Sequence, residues 1–221
     1  MSPKNAALRR DAIVERALEI ADLEGSQAVT IRRLATEFGV TPMALYWHVP
    51  NKDELLAAMG DSFYAGVRLP DGADWVERLR AVTDSLVASL RRHPASAHLA
   101  LPRILSCDDG RQLSEATFAM LRDAGFSVQQ TADIARTALQ TAIMLVTQEA
   151  GAELDVRAEE REHAVKAKRA ALAALPPDRF PNLLACMDCL LETDDEDAYY
   201  RFGVDLYVNG VRALHAAQST V

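Results

Sequence analysis

The feature that most restricts the fold is a pair of helix-start signals, Thr30 and Thr41, with Gly39 between them. Thr30 precedes the segment IRRLATEF, and Thr41-Pro42 precedes MALYWHV, so each segment begins with a capping residue. An isolated helix shorter than about 12–15 residues is marginal in water. The second segment must therefore pack on neighbouring helices, with Leu45 pointing inward.

The rest of the chain is also predicted to be helical, because turn signals divide it into helix-length pieces and no alternating run is bounded by a hairpin turn. We expect four short helices within about residues 8–68, the last running from Lys52 to about Val67. Six longer helices are expected at about residues 74–92, 111–124, 128–151, 155–174, 180–192 and 196–217. The linker-like segment LPDGAD predicts two domains, 1–68 and 69–221.

Charge and hydropathy favour a protein of the cytoplasm that touches its partners with one end. The net charge is −8, yet residues 1–57 carry seven Lys or Arg against eight Asp or Glu, so most of the negative charge lies in the remainder. No apolar run approaches the roughly 20 residues of a membrane span, and the N-terminus lacks a signal-peptide pattern. We expect a cytoplasmic location and no membrane partner.

Three cysteines, Cys107, Cys186 and Cys189, are an odd set, so reduced thiols are expected. Cys186 and Cys189 have CxxC spacing, but there is no second pair and no βαβ context. We expect both to be core thiols on a helix, in preference to a metal or redox site.

The pattern around Leu45 is typical of a helix-turn-helix, because Ala35, Gly39 and Val40 occupy the close-approach, turn and apolar positions. The consecutive residues Tyr46, Trp47 and His48 spread around the helix and cannot all be buried. We predict that Tyr46 and His48 face DNA phosphates and that residues 41–44 face base edges. The alternative is an ordinary three-helix core in which Tyr46 and Trp47 are packing residues.

The stretch TIRRLATEFGVTPMALYWHVPNKDELL closely resembles the DNA-binding domain of the TetR family, with its tetracycline repressor subgroup the most similar. Weaker resemblance continues through AHLALPR, LRDAGFS and YYRFGVDLYVNGVRAL. It implies an all-α fold with an N-terminal three-helix helix-turn-helix domain and a helical C-terminal domain for ligand binding and dimerisation. A homodimer would bind double-stranded, palindromic operator DNA and a small-molecule effector.

The resemblance matches Arg32, Tyr46, His48 and Lys52 to operator-contacting positions, and Trp47 to a neighbouring tryptophan. Pro-Met-Ala at 42–44 replaces the subgroup's Gln-Pro-Thr, so base specificity is expected to differ. The predicted DNA-binding set is Thr30, Arg32, Arg33, Thr41, Pro42, Met43, Ala44, Tyr46, Trp47, His48 and Lys52.

Dimerisation is predicted from two helices. Residues 132–147 are apolar on nearly every side, and the last helix places two glycines on one stripe. Pattern alone leaves an intrachain core equally open, whereas the resemblance implies a four-helix bundle between subunits. The predicted dimer residues are Ala135, Leu139, Ala142, Gly203, Leu206, Gly210 and Ala213.

An apolar effector pocket is predicted between helices of about residues 74–150. The resemblance aligns His98 with a metal-binding histidine, but Gln148 takes the place of a nearby carboxylate, with Glu149 next to it. Arg68 and Val82 replace two drug-contacting polar residues, so we expect a ligand other than tetracycline. The predicted pocket residues are Arg68, Val82, Leu86, His98, Arg103, Phe118, Met144 and Gln148.

Neither a catalytic constellation nor a metal or cofactor motif is predicted from the sequence, so an enzyme is the disfavoured class. A ligand-binding module without DNA binding, or an activator in place of a repressor, stays open. The charged run from Arg157 to Arg179 is read as a solvated helix face, with a mobile lid as the alternative.

Overall fold

The computed structural model describes residues 8–72, 74–148, 158–192 and 195–218. Within these ranges every regular element is helical, which confirms the all-α prediction. The α-helices are α1 (Arg10–Glu24), α2 (Ile31–Phe38), α3 (Pro42–Tyr46), α4 (Lys52–Ser62), α5 (Trp75–Arg91), α6 (Asp108–Asp123), α7 (Val128–Thr147), α8 (Ala158–Ala173), α9 (Pro181–Leu191) and α10 (Glu196–Gln218). Short 3₁₀ helices occupy Ser26–Ala28, Pro94–Leu99 and Leu101–Arg103.

Helices α1 to α4 pack around an apolar centre that holds α3 in place. Ile13 and Ile20 of α1 and Leu34 of α2 are fully buried there, as are Leu45 and Leu55. This burial replaces the stability that five-residue α3 lacks by itself.

The C-terminal helices are organised around α5, α7 and α10. The hydroxyl of Tyr207 on α10 donates to the carbonyl of Ile134 on α7 over 2.7 Å, and Arg80 on α5 pairs with Asp205 on α10. The ends of these helices meet where Trp75 packs edge-on against Phe126, with ring centres 5.3 Å apart. The buried side chains of both halves form one continuous core.

The prediction that α4 continues to about Val67 is wrong, because the helix ends at Ser62. Phe63, Tyr64 and Val67 are all buried, but the backbone forms turns over residues 63–66 and Gly66 adopts φ +80°, outside the right-handed helical region. The chain turns instead, and Ser89 of α5 donates to the carbonyl of Phe63 over 2.7 Å. α4 is thus fixed to α5 at its C-terminal end.

Two further predictions concern the cysteines of α9 and the C-terminal end of α7. Cys186 and Cys189 are exposed on α9, so the prediction of core thiols is wrong. They lie on the outer side of a helix that packs mainly against α8. The predicted extension of the 128–151 helix beyond residue 148 lies outside the described residues. No helix among the described residues combines the length and the apolar character of a membrane span.

Candidate functional site

Local hydrogen bonds fix the angle between α2 and α3. The Thr30 hydroxyl accepts from the backbone N–H of Arg33 at 3.1 Å, which caps the start of α2. Gly39 ends α2 in the left-handed region at φ +63°, and the N–H of Val40 donates to Ala35 over 3.0 Å. The Thr41 hydroxyl then caps α3 by accepting from Ala44 at 3.4 Å. Thr30 and Thr41 therefore have a structural part in positioning the predicted recognition helix.

Helix α3 and Trp47, the residue that follows it, bury one large side chain and expose three. Leu45 is 0% exposed, whereas Met43 is 68%, Tyr46 43% and Trp47 85% exposed. Pro42 and Thr41 are also exposed, and Ala44 and His48 are half-buried. Three large, partly apolar side chains in water on one short helix indicate a surface that contacts a partner.

Arg33 is held within the protein by acidic neighbours. Its guanidinium lies 2.7 Å from Glu24 and 3.0 Å from Glu37, and Glu37 also accepts from Arg16 at 3.0 Å. The hydrogen bond from Arg16 lowers the pKa of Glu37, which keeps its carboxylate charged. Arg33 thus stabilises the contact between α1 and α2, and a phosphate would have to compete for it.

Arg32 and Lys52 are in a different position. Both side chains are exposed, and neither forms an ion pair with any residue that the structure describes. Lys52 is the first residue of α4, whose start is capped by Asn51 accepting from Glu54 at 2.8 Å. Of the cations predicted to contact DNA, these two keep all their donors available.

A cavity of about 460 Å³ lies in the C-terminal part of the chain, between α5, the segment after it, α6 and α7. Of the predicted pocket residues, Val82, Leu86 and Phe118 line it. The other lining residues are Leu101, Ile104, Leu105, Leu113, Ser114, Thr117, Ala132, Ala135, Arg136, Ala138, Leu139 and Gln140. Those on α6, at positions 113, 114 and 117, recur with Phe118 at helical spacing, which is the sequence signal that would have identified them.

The remaining predicted pocket residues lie elsewhere. Arg68 is exposed and pairs with Asp109 over 2.7 Å, while His98 is exposed on the Pro94–Leu99 helix. Met144 is exposed on the outer side of α7, and the Gln148 carbonyl accepts from Tyr199 at 3.1 Å. Arg103 faces α4. None of these five is among the residues lining the cavity.

The predicted dimer residues also divide into groups. Ala135 and Leu139 line the cavity, and Ala142 is fully buried. Gly203 allows α10 to approach Leu145 of the same chain, where an added Cβ would collide with the leucine side chain. Leu206, Gly210 and Ala213, by contrast, are exposed on α10.

The segment from Leu99 to Leu105 connects the cavity to α4. Leu101, Ile104 and Leu105 line the cavity, while other atoms of the same segment contact the end of α4. Tyr64 donates its hydroxyl proton to the Ala100 carbonyl over 2.7 Å, and Arg103 binds Asp61 through Nε and Oδ1 at 2.6 Å. A displacement of this segment would therefore be transmitted to α4.

A second connection joins α1 to the end of α5. The Nδ1 atom of buried His93 lies 2.7 Å from Oδ2 of Asp22, and the backbone N–H of Ala95 donates to the other carboxylate oxygen at 3.2 Å. Glu15 of α1 lies 3.5 Å from the Nε2 atom of His93. Together with the Leu99–Leu105 segment and the bond from Ser89 to Phe63, this contact fixes the N-terminal helices to the cavity-bearing part.

Among the described residues no group of three or more His, Cys, Asp or Glu side chains is placed to hold a metal ion. Glu149, the carboxylate that follows Gln148 in the sequence, lies outside the described residues.

Two family models match the chain. Residues 13–59 match "Bacterial regulatory proteins, tetR family", and residues 69–215 match "Tetracyclin repressor-like, C-terminal domain". Together they cover most of the sequence, including the α2–α3 pair and every helix that lines the cavity.

Similar proteins agree with these matches. An HTH-type transcriptional regulator of Saccharopolyspora erythraea is 36% identical over 54% of this chain and 51% of its own length, so the chain spans about half of that relative. The class D tetracycline repressor protein of Escherichia coli is 27% identical over 93% of this chain and 89% of its own. The crystal structure of Streptomyces coelicolor ActR in complex with actinorhodin superposes with a TM-score of 0.74 at 26% identity, covering 95% of this chain and 99% of that one. From the family models, the shared fold and the α2–α3 geometry, the chain belongs to the TetR family of bacterial transcriptional regulators.

Proposed function

We propose that the protein is a repressor in the cytoplasm that binds palindromic operator DNA as a homodimer and releases it when a small molecule enters the cavity. We keep the division into a DNA-binding part, residues 1–68, and an effector and dimerisation part, residues 69–221. The observation that carries the proposal is the exposure of Met43, Tyr46 and Trp47 around a fully buried Leu45.

The DNA-contacting surface that we propose consists of α3 and the two unpaired cations beside it. A recognition helix reads base edges with its N-terminal residues, which here are Pro42, Met43 and Ala44. These side chains offer apolar contacts, such as those made to thymine methyl groups, and lack the amides that bind adenine in two places. Tyr46, Arg32 and Lys52 supply donors for phosphates, which fix the register of the protein on the duplex.

The homodimer is proposed through α10 with the outer side of α7. Phe202, Leu206 and Leu214 are large apolar side chains exposed on α10, and Met144 is exposed on α7 next to Leu145, which packs against α10. Exposed apolar side chains concentrated on adjacent helices favour burial against a second copy. Two copies related by a two-fold axis would place their α3 helices about one helical turn of DNA apart.

We propose that release of DNA is triggered through the Leu99–Leu105 segment, which connects the cavity to α4. An effector that occupies the cavity contacts Leu101 and Ile104, and the same segment holds Asp61 and Tyr64 at the end of α4. An effector shifts the equilibrium only if it binds one arrangement of this segment more tightly than the other. A tilt of α4 would change the separation of the two α3 helices and weaken binding to both half-sites.

The test is a titration of DNA from upstream of the protein's own gene, followed by fluorescence anisotropy, with Tyr46→Ala compared with wild type. We expect sequence-specific binding by wild type and loss of at least roughly tenfold in affinity for Tyr46→Ala, about 1.4 kcal/mol. Leu23→Ala is the matched control, because Leu23 is an exposed large side chain on α1 outside the proposed surface.

Sedimentation equilibrium should give a dimer for all three proteins. An affinity that is indifferent to DNA sequence, or unchanged in Tyr46→Ala, would contradict the proposed reading surface and favour a ligand-binding module without DNA binding. Increased transcription from the bound promoter in a reporter assay would indicate an activator instead.

A further inference from the structure

The chemistry of the cavity lining points to the class of its ligand. Most of the described lining side chains are aliphatic, and Phe118 adds an aromatic ring. Arg136 is the one charged side chain among them, and the described lining contains neither Asp nor Glu. A cationic ligand would therefore meet a positive charge in this cavity and find no compensating carboxylate in its wall.

The Arg136 guanidinium has N–H donors available for a ligand. Among the described residues its one ion pair is with Asp133, one turn earlier on α7, and the Nη1 to Oδ1 distance is 3.4 Å. Both side chains of this pair are at least half-exposed, and such surface pairs are worth little. A guanidinium carries five N–H donors, so most of them are available to an anion at the mouth of the cavity.

Ser114 supplies a second polar point deeper in the same wall. It is only 9% exposed, and its hydroxyl makes no hydrogen bond with any residue that the structure describes. Its neighbour Thr117 differs, because the Thr117 hydroxyl donates to the Leu113 carbonyl over 2.8 Å. The Ser114 oxygen is not among the fully enclosed polar atoms, so it opens to the cavity, where a ligand group can supply its hydrogen-bond partner.

We infer that the effector is an anionic amphipathic molecule, with an apolar ring body against Phe118 and Leu86, an acidic group at Arg136 and a hydrogen-bonding group at Ser114. The inference rests on the proposed role of this cavity as the effector site. A cavity of about 460 Å³ falls in the ordinary range for small-molecule sites, about 300–1,000 Å³. Neutral hydrocarbons would leave the Ser114 hydroxyl unpaired, and that desolvation opposes their binding.

Two fluorescent probes with one skeleton test the charge preference. 1-Anilinonaphthalene-8-sulfonate carries a sulfonate, and N-phenyl-1-naphthylamine is the same skeleton without it. We expect wild type to bind both, and Arg136→Gln to weaken the sulfonate probe roughly five- to tenfold while changing the neutral probe less than about twofold.

Arg111→Gln is the matched control for that variant. Arg111, like Arg136, is an exposed arginine paired with an aspartate three residues earlier, but it does not line the cavity. A larger side chain in the cavity wall, in the variant Ala135→Trp, is designed to block the cavity. If circular dichroism shows that this variant is unfolded, Ala132→Phe is used in its place. Both alanines are half-buried and line the cavity.

The outcomes separate this inference from the proposed function. If blocking the cavity removes binding of both probes and Arg136→Gln selectively weakens the sulfonate, the inference is supported. If blocking removes both but Arg136→Gln and Arg111→Gln behave alike, the anion preference is wrong and the cavity stays the effector site. If blocking removes neither probe, the cavity does not take ligands of this class, and both the inference and the effector role of the cavity are overturned.

Discussion

Arg103 holds Asp61 with two hydrogen bonds, from Nε to Oδ1 at 2.6 Å and from Nη2 to Oδ2 at 3.2 Å. Arg103 belongs to the segment that lines the cavity, and Asp61 lies in the last turn of α4. The side chain that the sequence assigned to the pocket itself therefore faces the N-terminal helices. Its position makes it a connector between the two parts of the chain.

Gly60 lies beside this connection and sets the distance between α4 and the segment. A Cβ atom added there would lie 2.5 Å from the Leu99 carbonyl oxygen and 2.6 Å from Cγ of Arg103. We expect Gly60→Ala to destabilise the protein by about 1–3 kcal/mol, because a backbone atom has to move. Urea denaturation followed by circular dichroism measures the change.

Gly203→Ala is the comparison for Gly60→Ala. The three atoms nearest to its added methyl group all belong to the side chain of Leu145, which can rotate away. If Gly203→Ala lowers the free energy of unfolding as much as Gly60→Ala or more, the contact of α4 with Leu99 is not tighter than the contact of α10 with Leu145.

Trp47 and Leu45 lie close together on the chain but should respond oppositely to truncation. Trp47 is almost fully exposed, so Trp47→Ala should change the free energy of unfolding by no more than about 0.5 kcal/mol while lowering operator affinity. Leu45 is fully buried, so Leu45→Ala should cost about 2–5 kcal/mol. Thermal denaturation and anisotropy on the same samples give both numbers. A strongly destabilised Trp47→Ala would mean that the tryptophan is a packing residue.

The sequence was most informative where its signals are local. The helix α2 was predicted at its observed bounds because Thr30 and Gly39 mark its two ends by their own backbone preferences. The residues that line the cavity were harder to predict from the sequence. Leu101 and Ile104 lie on or beside the 3₁₀ helix Leu101–Arg103, which contains Pro102, and proline indicates a break in regular structure.

Helix α7 shows a different limit of sequence patterns. Its apolar residues surround most of the helix, so periodicity does not say which neighbour each side contacts. Ala135 and Leu139 were expected at a dimer interface, whereas they line the cavity of their own chain. Only the packing of α7 against α5, α6 and α10 assigns its sides.

Gly210 gives a test of the proposed dimer. A Cβ added at Gly210 meets no atom of the same chain within 4 Å, so intrachain packing does not require glycine there. Because glycine inside a helix costs about 1 kcal/mol relative to alanine, close approach of a partner helix is the reason we propose. Gly210→Leu should weaken dimerisation at least roughly tenfold, about 1.4 kcal/mol, by sedimentation equilibrium.

Arg212→Leu is the control for Gly210→Leu. It adds a similar side chain at an exposed position on another side of α10. If both variants stay dimeric, or if both dissociate to the same extent, the stripe containing Gly210 is not the interface.

The buried phenol of Tyr64 makes the free energy of unfolding depend on pH in the alkaline range. Burial raises the pKa of its phenol, whose proton is donated to the Ala100 carbonyl over 2.7 Å. A tyrosine in the unfolded chain ionises near its ordinary pKa of about 10. The folded pKa is the higher of the two, so the contribution of Tyr64 is complete below about pH 10 and declines as the pH rises above it.

Burial also raises the pKa of Tyr207, so two tyrosines contribute to this decline. We expect the urea midpoint of the wild type to fall from about pH 10 upward, and Tyr64→Phe to fall less steeply after an initial loss of about 1 kcal/mol for its hydrogen bond. Tyr46→Phe is the control, because Tyr46 is exposed and its change should leave the slope unaltered. If the urea midpoints of wild type and Tyr64→Phe fall in parallel with pH, the Tyr64 phenol ionises alike in the folded and the unfolded chain. In that case the contact with the Ala100 carbonyl does not shield the phenol from water, contrary to its burial.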